Sequence, residues 1–120
     1  MRLATVRTGD GPRACMLWEG LYVDIQAADP SLPASVRAIL ALDDGLERVE
    51  REIGRGGVRH DPREATLLAP VIDPQKVICL GLNYRDHAIE SNMPIPEEPV
   101  LFSKFPSALT GHGAEIVLPE

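Results

Sequence analysis

Val77-Ile-Cys-Leu-Gly-Leu-Asn-Tyr-Arg-Asp-His87-Ala-Ile-Glu90 decides how this chain is read. An apolar run closes on Gly81 and feeds a polar segment, the composition of a strand handing over to a helix at its own end. On a helix beginning near Tyr84, His87 and Glu90 stand at i and i+3, so both side chains project from one face. A carboxylate beside an imidazole fixes its tautomer and raises its basicity, which suits a general base that takes a proton from water. A solvated helix face carrying an incidental His/Glu pair has the same spelling, and spacing alone does not separate the two.

Upstream of this stretch, Leu3 to Val6, Ala14 to Trp18 and Leu21 to Ile25 are short apolar or alternating runs parted by Gly9-Asp10-Gly11-Pro12 and Glu19-Gly20. Those separators are turn compositions, so the spacing predicts an N-terminal β-meander. Pro30 and Pro33 then break the chain. Ser35 can cap a short helix through Leu42, and Asp43 or Asp44 can cap another in which Leu46, Val49 and Ile53 share a face and Gly54-Arg-Gly-Gly57 makes the stop. His60 to Glu64 is polar, Thr66 to Ala69 reads as a strand, and Pro70 and Pro74 set it off from the next strand, Lys76 to Leu80. A boundary near residue 70 follows, giving a β-rich domain over 1–70 and a second over 71–120.

Downstream, Pro94, Pro96, Pro99, Pro106 and Pro119 exclude regular helix and leave extended segments at Val100 to Phe102 and Glu115 to Leu118. Val77 to Leu80 and Val100 to Phe102 read as interior strands. The fold class predicted is α+β with β dominant: a small meander with one or two helices, then further extended strands.

The 120 residues suffice for one modest core, and an apolar share of 44% fits a globular chain. Eighteen acidic against twelve basic side chains give a net charge of −6, which repels phosphate backbones and argues against nucleic acid as a partner. No apolar run approaches the roughly 20 residues of a membrane-crossing helix, and the N-terminus lacks a signal-type apolar core. Cys15 and Cys79 lie in apolar segments without metal-type spacing and read as buried thiols of a cytoplasmic, unexported protein.

Asn83-Tyr84-Arg85-Asp86-His87-Ala88-Ile89-Glu90, then Pro96-Glu-Glu-Pro-Val-Leu-Phe-Ser-Lys-Phe-Pro-Ser-Ala-Leu109, then Ile116-Val-Leu-Pro119, closely resemble the fumarylacetoacetate hydrolase family. The likeness runs from about Leu68 onward. Residues 1–67 resemble the variable β-rich N-terminal region of many bacterial members.

The resemblance implies a metal-dependent enzyme acting on short oxo acids: carbon–carbon bond hydrolysis of acylpyruvates, or decarboxylation or isomerisation of related dicarboxylates. It makes the segment after the meander and its one or two helices the first strands and lid of a larger β-roll, with His87 and Glu90 the catalytic, water-activating dyad on that lid. It sets Lys104 near the cleft, as a substrate-binding lysine or a structural one. It implies a divalent metal, Mg²⁺ or Mn²⁺, that chelates substrate and stabilises the departing enolate. The family's metal ligands, a Glu-x-Glu pair and a later Asp, correspond to positions beyond Glu120, so the expectation is the N-terminal part of such an enzyme, without metal ligands of its own. Glu50-Arg51-Glu52 copies the spelling, but on a helix side chains two apart diverge by about 200° and cannot share an ion. Glu97-Glu98 reads as loop, His60 and His112 as surface histidines, and Ser107 and Thr110 as backbone partners. The expected partners are a small oxo acid and further copies of the chain in a homodimer or larger oligomer. The alternative reading is a non-catalytic remnant acting as a binding or interaction module.

Overall fold

Two tight turns build the first three strands. Thr8 accepts from Asp10 N–H and donates to the Gly11 carbonyl, and Gly11 takes a φ of 102°, which turns β1 (Leu3–Thr8) into β2 (Gly11–Trp18). Glu19 and Gly20 both adopt positive φ, the two-residue turn whose twist matches a hairpin, and lead into β3 (Leu21–Asp24). These elements belong to a computed structural model that describes residues 1–118. The chain divides into two units, Met1–Asp73 with the residues from Leu109 onward, and Pro74–Ala108.

In the first unit the meander is the centre of a five-stranded sheet of order β4-β3-β2-β1-β5, with two-residue edge strands β4 (Arg59–His60) and β5 (Leu67–Leu68). The register pairs Leu3 with Met16 and Met16 with Val23, so these three share a face. Three helices supply apolar residues to the same core: α1 (Ile25–Ala28), α2 (Val36–Leu40) and α3 (Gly45–Glu52), the last running into a 3₁₀ turn at Ile53–Arg55. Ile25, Leu32, Val36, Ile39, Val49 and Ile53 bury against Ala14, Met16 and Val23. Fully burying such a side chain stabilises by about 1.5–3 kcal/mol, so this cluster dominates the unit's stability.

Caps place the helices. Asp24 accepts from Ala27 N–H at 3.0 Å and starts α1, so Ile25, predicted to end the third strand, opens a helix instead. The same carboxylate takes a two-pronged bond from Arg13, 2.7 and 3.1 Å, whose third nitrogen reaches Gln26. Ser35 caps α2, as its position predicts, although the helix ends at Leu40 and not Leu42. Asp44 precedes α3 without a side-chain capping bond, and Leu46 is 41% exposed, so only Val49 and Ile53 of the predicted face reach the core. α3 has little more than two turns, and its buried residues are Gly45 and Val49. β4 also went unread, because Arg59 and His60 enter the ladder through backbone pairing with Val23 and Tyr22.

The second unit is one antiparallel hairpin, β6 (Val77–Gly81) against β7 (Val100–Lys104), with α4 (Arg85–Glu90) in the connection. The two strands pair with each other as extended segments, yet every β7 residue is exposed and Ile78 is 67% exposed, so the interior setting expected of them is absent. Among the described residues downstream of β7 only a 3₁₀ turn at Pro106–Ala108 forms, and the predicted extended segment at 115–118 joins no sheet. The whole is α+β with strands dominant.

Candidate functional site

β6 ends where a side chain would crowd its partner strand. A Cβ on Gly81 would stand 3.3 Å from Val100, and the next residue, Leu82, takes a left-handed φ of 48°. That bend turns the backbone out of the ladder, and Tyr84 in extended geometry starts α4. The helix stops by a paired-bond motif: Met93 N–H reaches the Ala88 carbonyl at 2.9 Å and Asn92 N–H the Ile89 carbonyl at 3.0 Å, with Asn92 at φ 50°. Asn is one of the few residues that accept this conformation, and its place just after Ser91 is the signal that could have marked the end of the helix in advance.

Between these stops α4 presents Ala88 inward, 1% exposed, and His87 and Glu90 to solvent. The i, i+3 spacing sets both on one flank, their Cβ atoms roughly 5–6 Å apart. Among the described residues no hydrogen bond joins the two side chains or ties either to another group. They form an open imidazole–carboxylate face, free to take a substrate atom or a water between them.

Lys104 lies elsewhere in the hairpin. The register sets it opposite Val77, whereas α4 leaves from the Gly81 end, four residues along the ladder and so roughly 13 Å away. Its ammonium sits 5.6 Å from the centre of the Phe102 ring, a cation–π contact within its own strand. The structure brings His87 and Glu90 together and leaves Lys104 apart from them.

A cavity of about 350 Å³ opens at the Gly81 end, lined by Asn83, Arg85, Ile95, Glu97, Glu98 and Val100. Glu97 and Glu98, read as loop, are loop residues and also the acidic wall of this cavity. His87 and Glu90 do not line it.

The divalent metal implied by the resemblance finds no fit here. Among the described residues no group of three or more His, Cys, Asp or Glu is gathered as a cation would need. Glu50 and Glu52 lie on α3, and Glu52 is engaged by Arg51 and Arg55, with Arg51 first in holding its carboxyl below the usual range.

Of the other titratable candidates, Cys15 is fully buried, and burial, reinforced by Asp24, pushes its thiol up to about 12. That thiol is inert. His60, expected at the surface, has its Nε2 buried with no partner among the described residues. Asp61, Glu64, Ala65 and Thr66 share a small cavity with it, and the sequence carries no signal of that burial. His112 lines a cavity of the first unit together with Arg2 and Tyr22.

Comparison with known proteins places these features. The fumarylacetoacetate (FAA) hydrolase C-terminal family model matches residues 76–120, a span that contains β6, α4 and β7. The mitochondrial oxaloacetate tautomerase fahd2 of Xenopus laevis is 35% identical over 125 aligned residues, covering 100% of this chain and 39% of that protein. The human mitochondrial oxaloacetate tautomerase FAHD2A is 42% identical over 101 residues, covering 83% of this chain and 32% of its own length. The chain thus spans between about a third and two fifths of these relatives. A crystal structure of a protein assigned as HpcE from Mycobacterium smegmatis superposes with a TM-score of 0.67 at 28% identity, covering 96% of this chain and 40% of that one. An uncharacterized protein from Mycobacterium abscessus gives 0.59 at 27% identity, covering 99% of this chain and 39% of that one. The likeness in sequence therefore extends through the N-terminal sheet as well as β6, α4 and β7, and the fold agrees over the same length: the chain belongs to the fumarylacetoacetate hydrolase family.

Proposed function

We propose that this chain contributes the proton-transfer dyad of an enzyme of hydrolase or isomerase type acting on a short oxo acid, and that keto–enol isomerisation of such an acid is the reaction it serves. The observation that carries the reading is the shared flank of His87 and Glu90 on a helix stopped at both ends, inside the span matched by the family model. Support for isomerisation over acylpyruvate hydrolysis or decarboxylation comes from the relatives, which are named oxaloacetate tautomerases.

The residues suit that chemistry. Neutral His87 takes a proton from the carbon next to the oxo group, the electron pair moves onto the oxo oxygen, and the imidazolium returns the proton to that oxygen. Atoms and charge balance without a further reactant. Glu90 holds the imidazole in one tautomer and stabilises its cation while the proton is in transit. In the hydrolytic variant the same pair activates water. Lys104 enters the proposal as a cation for the acid's carboxylate only if β7 bends to bring it round, and Arg85 stands nearer the dyad.

The test is a spectrophotometric assay of oxaloacetate tautomerisation, with acylpyruvate hydrolysis in parallel, on the full natural polypeptide bearing this sequence. His87→Gln should lower turnover by roughly 10²–10⁴-fold, and Glu90→Gln by less, with a shifted pH profile. Unchanged rates in His87→Gln would overturn the dyad. Hydrolysis without tautomerisation would overturn the choice of reaction.

A second reading, an interaction module, draws on the bare apolar surface of the hairpin, where Ile78, Leu101 and Phe105 are 67%, 66% and 83% exposed. It shares with the first the proposal that the chain works as a homodimer or larger oligomer. A cytoplasmic, reducing location is proposed from the two free cysteines; no helix among the described residues is long and apolar enough to cross a membrane.

A further inference from the structure

We propose that the end of the five-stranded sheet where β1 begins and β2 turns into β3 is a binding site for a small monocarboxylate with an apolar body. A cavity of about 370 Å³ lies there, within the range of roughly 300–1,000 Å³ usual for small-molecule sites. Its floor is apolar: Leu17, whose cross-strand neighbour is Tyr22, and Leu67 from the edge strand β5. Its rim carries Arg2, the Tyr22 hydroxyl, Thr110 and His112.

The charge of this rim runs against that of the chain. The molecule holds eighteen acidic side chains and a net charge of −6, yet no carboxylate lines the cavity, while a guanidinium does. Among the described residues Arg2, Arg7 and Arg85 have no acidic partner, whereas Arg13, Arg37, Arg48, Arg51, Arg55, Arg59 and Arg63 all have one, and of the three without a partner Arg2 lines this cavity. A planar five-donor fork without a mate, beside two hydroxyls and an imidazole, is matched by a carboxylate, and the leucine floor is matched by a short hydrocarbon.

The outer wall is built. Residues Thr110 to His112 lie against β5 so closely that a Cβ on Gly111 would overlap the Leu67 carbonyl oxygen and press on Leu68 Cα at 2.9 Å. Only glycine admits that approach, and it brings Thr110 and His112 over the leucines. At the other side Arg2 is held in place through its carbonyl, which accepts from Leu17 N–H at 2.9 Å.

The experiment is an NMR titration of the methyl-labelled 120-residue chain with hexanoate, 1-hexanol and inorganic phosphate. Hexanoate should give saturable shifts at Leu3, Leu17 and Leu67. Arg2→Gln, which leaves the Val23 and Ile39 signals of the core in place, should weaken hexanoate about tenfold and leave 1-hexanol unchanged. Gly111→Ala should weaken both by moving the wall. Four outcomes overturn the site: no saturation by hexanoate, equal response of hexanoate to wild type and Arg2→Gln, shifts at Leu101 as large as at Leu17, or phosphate binding as tight as hexanoate.

Discussion

Single side chains set the first unit's stability, and Asp24 shows how. It is 5% exposed, caps α1 and receives the fork of Arg13, so one carboxylate fixes a helix start, a strand end and the register between β2 and β3. Asp24→Ala removes cap and pair together and leaves Arg13 unpaired, and should destabilise by about 1–3 kcal/mol in urea unfolding. Asp24→Asn keeps an oxygen for the cap and should cost less. Cys15, beside Asp24, gives a signed pH effect. Its folded-state value, raised from 9.0 to about 12, means that the native state holds the proton more tightly. The stability linked to it is full below about pH 9 and is lost as pH rises towards 12. Thiol titration of the native chain near neutral pH should find Cys79 reactive and Cys15 silent until denaturant is added. That Cys15 would be buried was legible in its apolar run, whereas the same reading fails for Cys79, which is only half-buried because its hairpin has no covering layer. That Asp24 turns the chain from strand to helix was not legible, because the helix it caps through Ala27 N–H has only four residues, Ile25–Ala28, too few to show a helical period.

At the scale of elements, α4 depends on its terminus more than on its length, since six residues are far too few for an isolated helix to persist. Asn92 supplies the left-handed residue that closes it. Asn92→Gly should leave amide exchange at Asn92 and Met93 unaltered or slower, and Asn92→Val should speed both by about tenfold, reflecting roughly 1–2 kcal/mol of strain. Equal exchange in the two variants would mean that the stop is set elsewhere. The helix itself, its start near Tyr84 and the shared flank of His87 and Glu90 could be read from the motif, because i, i+3 geometry is local. The distance of Lys104 from that flank could not. It follows from pairing Val77 with Lys104 and Gly81 with Val100, a matter of register between segments that sequence periodicity leaves open.

On the scale of the molecule, the two units differ in what they bury. The Met1–Asp73 unit closes an apolar core under three helices, whereas the Pro74–Ala108 unit leaves Ile78, Leu101, Phe102 and Phe105 in the open. A lone hairpin of this kind is marginal in water. Sedimentation of the 120-residue chain should therefore show concentration-dependent self-association, and Ile78→Lys with Leu101→Lys should shift it towards monomer without changing the urea midpoint of the first unit. A wild-type chain that stays monomeric at high concentration would count against the oligomer. The meander was visible in the sequence through its turns, and the second unit through its motif. The edges were not, since two-residue strands carry no periodicity.

Those short margins matter for how the protein shares a crowded tube with other β-proteins. Arg59–His60 on one rim and Leu67–Leu68 on the other offer almost no backbone template on which a foreign strand could zip. Seeding by unrelated fibrils should bypass residues 1–73 altogether, and any protease-resistant deposit formed from this chain should map to 77–104.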